Sequence, residues 1–168
     1  MRHWMLLTHP DNWEKCVQHG LFGFDEEYAS TVEHYIKPGD QAIIYLAKHS
    51  TVWGVVEITD VLLSQTEEIG WQKKGWEARK GARIVGLFPA RVRFRTVCKV
   101  TPPRKIGGGN NEARNQLEYI TDKKRWNIFV QIALSRVPEA DVKTVIGWAS
   151  EPQKDAAVTR SQGPRVGT

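Results

Sequence analysis

Residues 7–24, LTHPDNWEKCVQHGLFGF, decide how the rest of the chain is read. They follow HWMLL (3–7), a hydrophobic strand. Asp11 or Asn12 is placed to cap a helix with Glu14 in its first turn, Val17 supplies an inward apolar position, and Gly20 offers the left-handed residue that ends it. LFGF then resumes an extended path. A strand, one helix and a returning extended segment enclose a notch. Its rim is polar through Thr8 and Asn12, and its walls are flat rings from Trp13, Phe22 and Phe24. That is the chemistry of a pocket for a planar ligand. The residues alone leave a second reading open, in which the three aromatics simply pack in the core.

Working outward, Ser30 is placed to cap a short helix through Glu33 and Tyr35, and Lys37-Pro38-Gly39-Asp40 breaks it with a turn. QAIIYLA (41–47) and VWGVVEITDVLL (52–63) are two strands joined by a short polar link, hence an antiparallel pair, with Gly54 marking a bulge or a close backbone approach. Residues 64–86 have no period but carry Trp71 and Trp76, and an excursion of that length in a compact domain is usually functional.

In RVRFRTVCKV (91–100), Val92, Phe94, Cys98 and Val100 point one way, while Arg91, Arg93, Arg95 and Lys99 point the other. Thr101-Pro102-Pro103 ends that strand. Residues 107–111, GGGNN, read as a flexible hinge and lack the lysine and hydroxyl residue of a phosphate loop. A short helix is expected over 112–119, while RWNIFVQIAL (125–134) fits strand or helix by period. Pro138, Glu139 and Asp141 open a final helix with Val142, Val145, Ile146 and Ala149 on one side. Trp4, Trp126 and Trp148 are assigned to the core. This order implies an α+β fold, with a mixed or antiparallel sheet curled under helices that cover its openings.

The chain is long enough for one domain, expected over 1–150, followed by a flexible polar tail over 151–168. No apolar run reaches membrane-spanning length and the N-terminus lacks a secretory pattern, so a soluble, cytoplasmic protein is expected. Cys16 and Cys98 are isolated, which suits reduced structural thiols, and no cofactor or metal site is expected. Charge is informative by position. Residues 71–105 hold eleven Lys or Arg against one acid, Glu77, for a net +10, whereas the whole chain is +5. A basic patch on an otherwise acidic protein points to a polyanionic partner.

The motifs HWMLLTHPDNWE, HGLFGF, IKPGDQAIIYLA, VWGVVEIT, FPARVRF, and KKRW followed by RVPEADVKTVI, in that order from about His3 to Trp148, resemble the EVE domain. That family is PUA-like and is similar to the YTH readers of methylated adenine and to the ASCH domains. The resemblance implies an open pseudo-barrel with flanking helices. It also implies a non-enzymatic module that accepts a flipped, modified base, either a modified cytosine such as 5-methylcytosine or methylated adenine, in DNA or RNA.

Aligned with the YTH pattern, the first cage ring falls on Phe22, the adjacent backbone contact on Gly23 and the base-reading polar positions on Thr8 and Asn12, with Trp13 beside them. The second wall falls on Ala90, which is not a ring, and Phe88, Trp71 or Trp76 is left to fill it. Lys73, Lys74, Arg79, Arg91, Arg93 and Arg95 would hold the phosphate backbone, giving affinity without sequence. For Arg91 a buried ion pair is an equal alternative.

Two other classes remain open. A nuclease of the ASCH type would need a metal cluster or paired acid and base groups, and His3, His9, His19, His34 and His49 show no ligand spacing. A small-molecule or nucleoside sensor would use the same pocket, with the basic patch meeting an acidic protein surface.

Overall fold

The strand β1 (His3–Thr8) is uncharged beyond its first residue and is buried on both sides. Its neighbours explain this. β1 pairs in parallel with β3 (Gln41–Leu46) and antiparallel with a short strand (Leu134–Arg136) from near the C-terminus. The computed structural model describes residues 1–73, 84–109, 111–129 and 131–151, the first two-thirds of which build most of the sheet.

Between β1 and β3 lie α1 (Pro10–His19), β2 (Leu21–Phe24), a single 3-10 turn (Glu26–Tyr28) and α2 (Ala29–Tyr35). Then come β4 (Thr51–Leu62), a two-residue hairpin of β5 (Gln72–Lys73) with β6 (Ile84–Val85), and β7 (Ala90–Lys105). The chain closes with α3 (Glu112–Asn115), α4 (Trp126–Phe129), the short strand just mentioned as β8, and α5 (Glu139–Ser150). The main sheet has the order β2-β7-β4-β3-β1-β8 and is a curled, mixed half-barrel, as expected for an α+β PUA-like chain.

Alternation along the central strands divides the interior in two. Trp4 and Leu6 of β1 and Ala42, Ile44 and Leu46 of β3 face one core under α1 and α2. Met5, Ile43 and Tyr45 face a second core that α5 covers with Val142, Val145 and Trp148. A one-residue slip would exchange the two sets, so register is tightly held. The turn after α2 is held by Asp40, whose carboxylate accepts from the Trp4 indole N–H at 3.0 Å and from the backbone N–H of Arg2 and Lys37.

Several local expectations are met. Gly20 ends α1 at φ 67°, and 41–46 pairs antiparallel with 51–62. A Cβ on Gly54 would stand 2.2 Å from the Cys98 carbonyl oxygen, at a break in the β4–β7 register.

Others are corrected. α1 starts at Pro10 with His9 in the cap position, because proline's fixed φ suits the first helical turn, so neither Asp11 nor Asn12 is the cap. Val17 is 49% exposed, and the inward face consists of Asn12, Trp13 and Cys16. Tyr28, not Ser30, precedes α2. β7 does not stop at Thr101-Pro102-Pro103. These residues fall in the register break between Lys99 and Arg104, where no ladder N–H is required, and the strand runs on to Lys105.

Residues 107–109 are anchored rather than hinge-like. The Arg114 guanidinium donates to the carbonyls of Ile106 (3.0 Å), Gly108 (2.9 Å) and Gly109 while lying over the Trp126 ring. The helix expected over 112–119 is a single turn, because Glu118 and Tyr119 turn their backbone N–H groups onto the buried Asp141 carboxylate. Residues 125–134 hold both a helical turn, α4, and the start of β8. Beyond Glu151 the expected tail lies outside the described residues. No helix among the described residues is long and apolar enough to cross a membrane.

Candidate functional site

The end of β1, the first turns of α1, β2, and the chain around residues 71 and 88 surround a cavity of about 230 Å³. This is below the roughly 300–1,000 Å³ of clefts that take drug-sized ligands, and it suits one small ring. Thr8, Asn12, Phe22, Gly23 and Phe88, all expected from the sequence, line it. Trp71 lines it as well and supplies a second aromatic wall, with its ring edge-on to Phe88 at 5.9 Å. Trp76, Lys74 and Arg79 lie outside the described residues.

Two expected pocket residues sit elsewhere. Trp13 is buried in the first core, stacked on Phe94 at 5.3 Å and edge-on to Trp53 at 4.9 Å. Ala90 is buried opposite Phe24 in the β2–β7 ladder. Phe22 has both roles open to it, since it lines the cavity and also packs on Phe24 at 4.9 Å.

The walls are fastened by the frame. The Asn12 amide donates to the Gln72 carbonyl (2.8 Å) and accepts from the Gln72 N–H (3.0 Å), while Lys15 Nζ donates to the Gly70 carbonyl at 2.7 Å. Trp71 is thereby held between two bonded neighbours. Gly23 lets it close in, because a Cβ there would meet Trp71 at 2.6 Å and Phe88 Cβ at 2.7 Å.

Phe88 has φ 47°, a left-handed backbone that a bulky residue adopts only when its surroundings impose it. Arg91 imposes it. Its Nε donates to the Phe88 carbonyl (3.0 Å), and Nη2 donates to the carbonyls of Leu87 (2.9 Å) and Glu67. The guanidinium also lies 5.2 Å from the centre of the Trp71 ring. Arg91 is only 1% exposed, and burial lowers its pKa. It is therefore placed apart from the other cations of β7.

Those cations, Arg93 and Arg95, are exposed and face acids across the β4–β7 ladder. Arg93 lies 3.6 Å from Asp60 and Arg95 2.8 Å from Glu57. Lys73 is exposed beside Gln72. Lys99 covers the Trp53 ring at 5.7 Å.

Sequence reasoning missed Cys16, Asp25 and Gln72 as lining residues. Cys16 is four residues after Asn12, one helical turn on, and that spacing was the available signal. Asp25 follows HGLFGF directly. Gln72 carried no signal, because it belongs to a segment without periodicity. Burial pushes the Cys16 thiol up to about 12, against a smaller opposing effect from the Trp71 indole, so it is a neutral, polarizable wall. Among the described residues, no three His, Cys, Asp or Glu side chains gather where they could hold a metal ion.

A curled half-barrel with a ring-lined cavity between its first helix and second strand places the protein in the PUA-like class. The chain matches the EVE domain over residues 2–148 and belongs to that family. Among solved structures it is similar to human THYN1 in complex with DNA containing 5-methylcytosine (12% identity, TM-score 0.56, covering 91% of this chain and 100% of that one). It is also similar to the Pho92 YTH domain in complex with m6A (12%, 0.59, 92% and 86%) and to Atu2648 from Agrobacterium tumefaciens (16%, 0.52, 91% and 98%). At these identities the likeness is one of fold. No curated protein matches the sequence.

Proposed function

We propose that the protein binds nucleic acid without chemistry and reads a modified base, a modified cytosine or methylated adenine, turned out of its strand into the cavity beside Phe22. The observation that carries this reading is the cavity itself: one-ring size, with Phe22, Trp71 and Phe88 as walls and Thr8 on the rim. Rings supply stacking of roughly 1–3 kcal/mol per base, and apolar walls favour an added methyl group. The comparison structures support it, since human THYN1 was solved with 5-methylcytosine DNA and the Pho92 domain with m6A.

Residues 1–150 carry the function, with 151–168 as an appended tail. Lys73, Arg93 and Arg95, with Lys74 and Arg79, form the backbone contact. Arg91 serves it indirectly by holding the wall.

The test is fluorescence anisotropy at two salt concentrations, with matched single-stranded and duplex DNA and RNA with and without 5-methylcytosine or N6-methyladenine. A preference for one modified oligonucleotide that persists at high salt is expected. Equal, salt-sensitive binding to all of them overturns the reading. The pairing of Arg93 with Asp60 and of Arg95 with Glu57 favours one second reading, a nucleoside sensor with little backbone grip. In that case a free modified nucleoside binds as tightly as the oligonucleotide.

A further inference from the structure

Asp25 is the acid that lines the cavity, one residue beyond β2. It holds the N-cap position of the 3-10 turn Glu26–Tyr28, where an aspartate ordinarily bonds the turn's own N–H groups, yet its side chain makes no such bond. The backbone does that work instead, the Asp25 carbonyl accepting from the Tyr28 N–H at 2.9 Å. Among the described residues the carboxylate has no hydrogen-bond or ion-pair partner. The Asn12 amide, by contrast, has one donor and its acceptor engaged by Gln72.

A carboxylate repels phosphate, so it has no place in a backbone contact. An ionised carboxylate only accepts, and at the position where cytosine carries N4 and adenine N6 the group that answers it is that exocyclic amine. Thymine and uracil present a carbonyl at the corresponding position, and two acceptors would then face each other unpaired.

We infer that Asp25 is the specificity-determining acceptor of the pocket, restricting its ligand to bases that carry an exocyclic amine. The inference rests on the base-reading function proposed above. It narrows that function: methylated or otherwise altered cytosine and adenine enter, and the corresponding oxo bases, thymine and hypoxanthine, do not.

The experiment compares single-stranded oligonucleotides that differ at one base, 5-methylcytosine against thymine and N6-methyladenine against hypoxanthine, with cytosine and adenine as the unmodified matches, in the wild type, Asp25→Asn, Asp25→Ala and Phe22→Leu. Thermal melting by circular dichroism confirms that each variant is folded. The wild type is expected to favour the amine-bearing member of at least one pair by about tenfold or more, the scale of one good base-edge contact. Asp25→Asn and Asp25→Ala bring the two members toward parity, because an amide serves either edge and a methyl group serves neither. Phe22→Leu weakens both members together and keeps their ratio.

If the wild type prefers no modified oligonucleotide over its unmodified match, the base-reading function fails and this inference with it. If it does, and the preference over the oxo base survives in both Asp25 variants, only the assignment to Asp25 is overturned.

Discussion

The Asn12 side chain and the Gln72 backbone form a closed pair of hydrogen bonds, 2.8 Å from Nδ2 to the carbonyl and 3.0 Å from the N–H to Oδ1. A side chain in the first turn of α1 thus acts as a strand partner for a residue 60 positions away, and Trp71 is carried with it. Asn12→Ala leaves both backbone groups of Gln72 without this partner at a half-buried site. A loss of about 1–3 kcal/mol is expected in urea unfolding, together with a change in native tryptophan fluorescence as Trp71 loosens. An unchanged emission spectrum would show that the wall does not depend on this pair.

Gly23→Ala places a methyl group where Trp71 and Phe88 already stand, at 2.6 and 2.7 Å. The backbone φ there is ordinary, so the cost is one of crowding, typically about 1–3 kcal/mol for overpacking. Because the displaced groups are the two walls, modified-base selectivity should fall further than in a surface variant of equal stability. Binding assays at matched folded fraction distinguish the two.

Arg91→Lys retains a cation but replaces the planar fork with a single ammonium group, which cannot hold the carbonyls of Glu67, Leu87 and Phe88 in the same geometry. Destabilisation of about 1–3 kcal/mol is expected, because a buried acceptor is left unpaired. The salt dependence of nucleic-acid binding should remain that of the wild type. A reduced salt slope would place Arg91 on the phosphates instead.

Arg93→Gln should do the reverse. The Arg93–Asp60 contact is exposed on both sides, and such pairs contribute little, so phosphate can replace the aspartate. The variant should weaken all oligonucleotides alike and lower the slope of log K against log salt by about 0.9 for one lost duplex phosphate contact. Stability should not change measurably.

The buried Cys16 thiol predicts alkaline sensitivity. Its folded pKa, about 12, lies above the ordinary value of 9.0, so between these values the unfolded chain gives up a proton that the folded chain keeps. Unfolding free energy therefore falls as pH rises through 9 toward 12. Tyr119 and Tyr45, raised by burial, act in the same direction. Urea titrations from pH 8 to 11 should show a decline that is shallower in Cys16→Ala. An identical decline would assign the effect to the tyrosines.

What the sequence disclosed was whatever depends on local pattern. The apolar runs of β1, β3 and β4 and the glycine at position 20 are one-dimensional signals, and they predicted their elements. Arg91 shows where such signals stop. Alternation placed it in the row with Arg93 and Arg95, but the strand begins beside a loop whose carbonyls converge on that one position, and this convergence is a property of the fold. Trp71 was legible as an aromatic in an unexplained excursion, yet its role depends on Gly23, Asn12 and Arg91, from three separate elements. Trp13 erred the other way: its neighbours in the chain line the cavity, but one step around the helix points its ring into the core.

The pocket separates fasteners from walls. Asn12 and Arg91 direct their hydrogen bonds at main-chain atoms, the backbone of Gln72 and the carbonyls of Glu67, Leu87 and Phe88, and those atoms are the same whatever side chain follows. Exchanging the side chain at position 71 or 88 therefore leaves those hydrogen bonds in place. A library randomised at these two positions should yield new binding preferences while the main-chain fasteners remain.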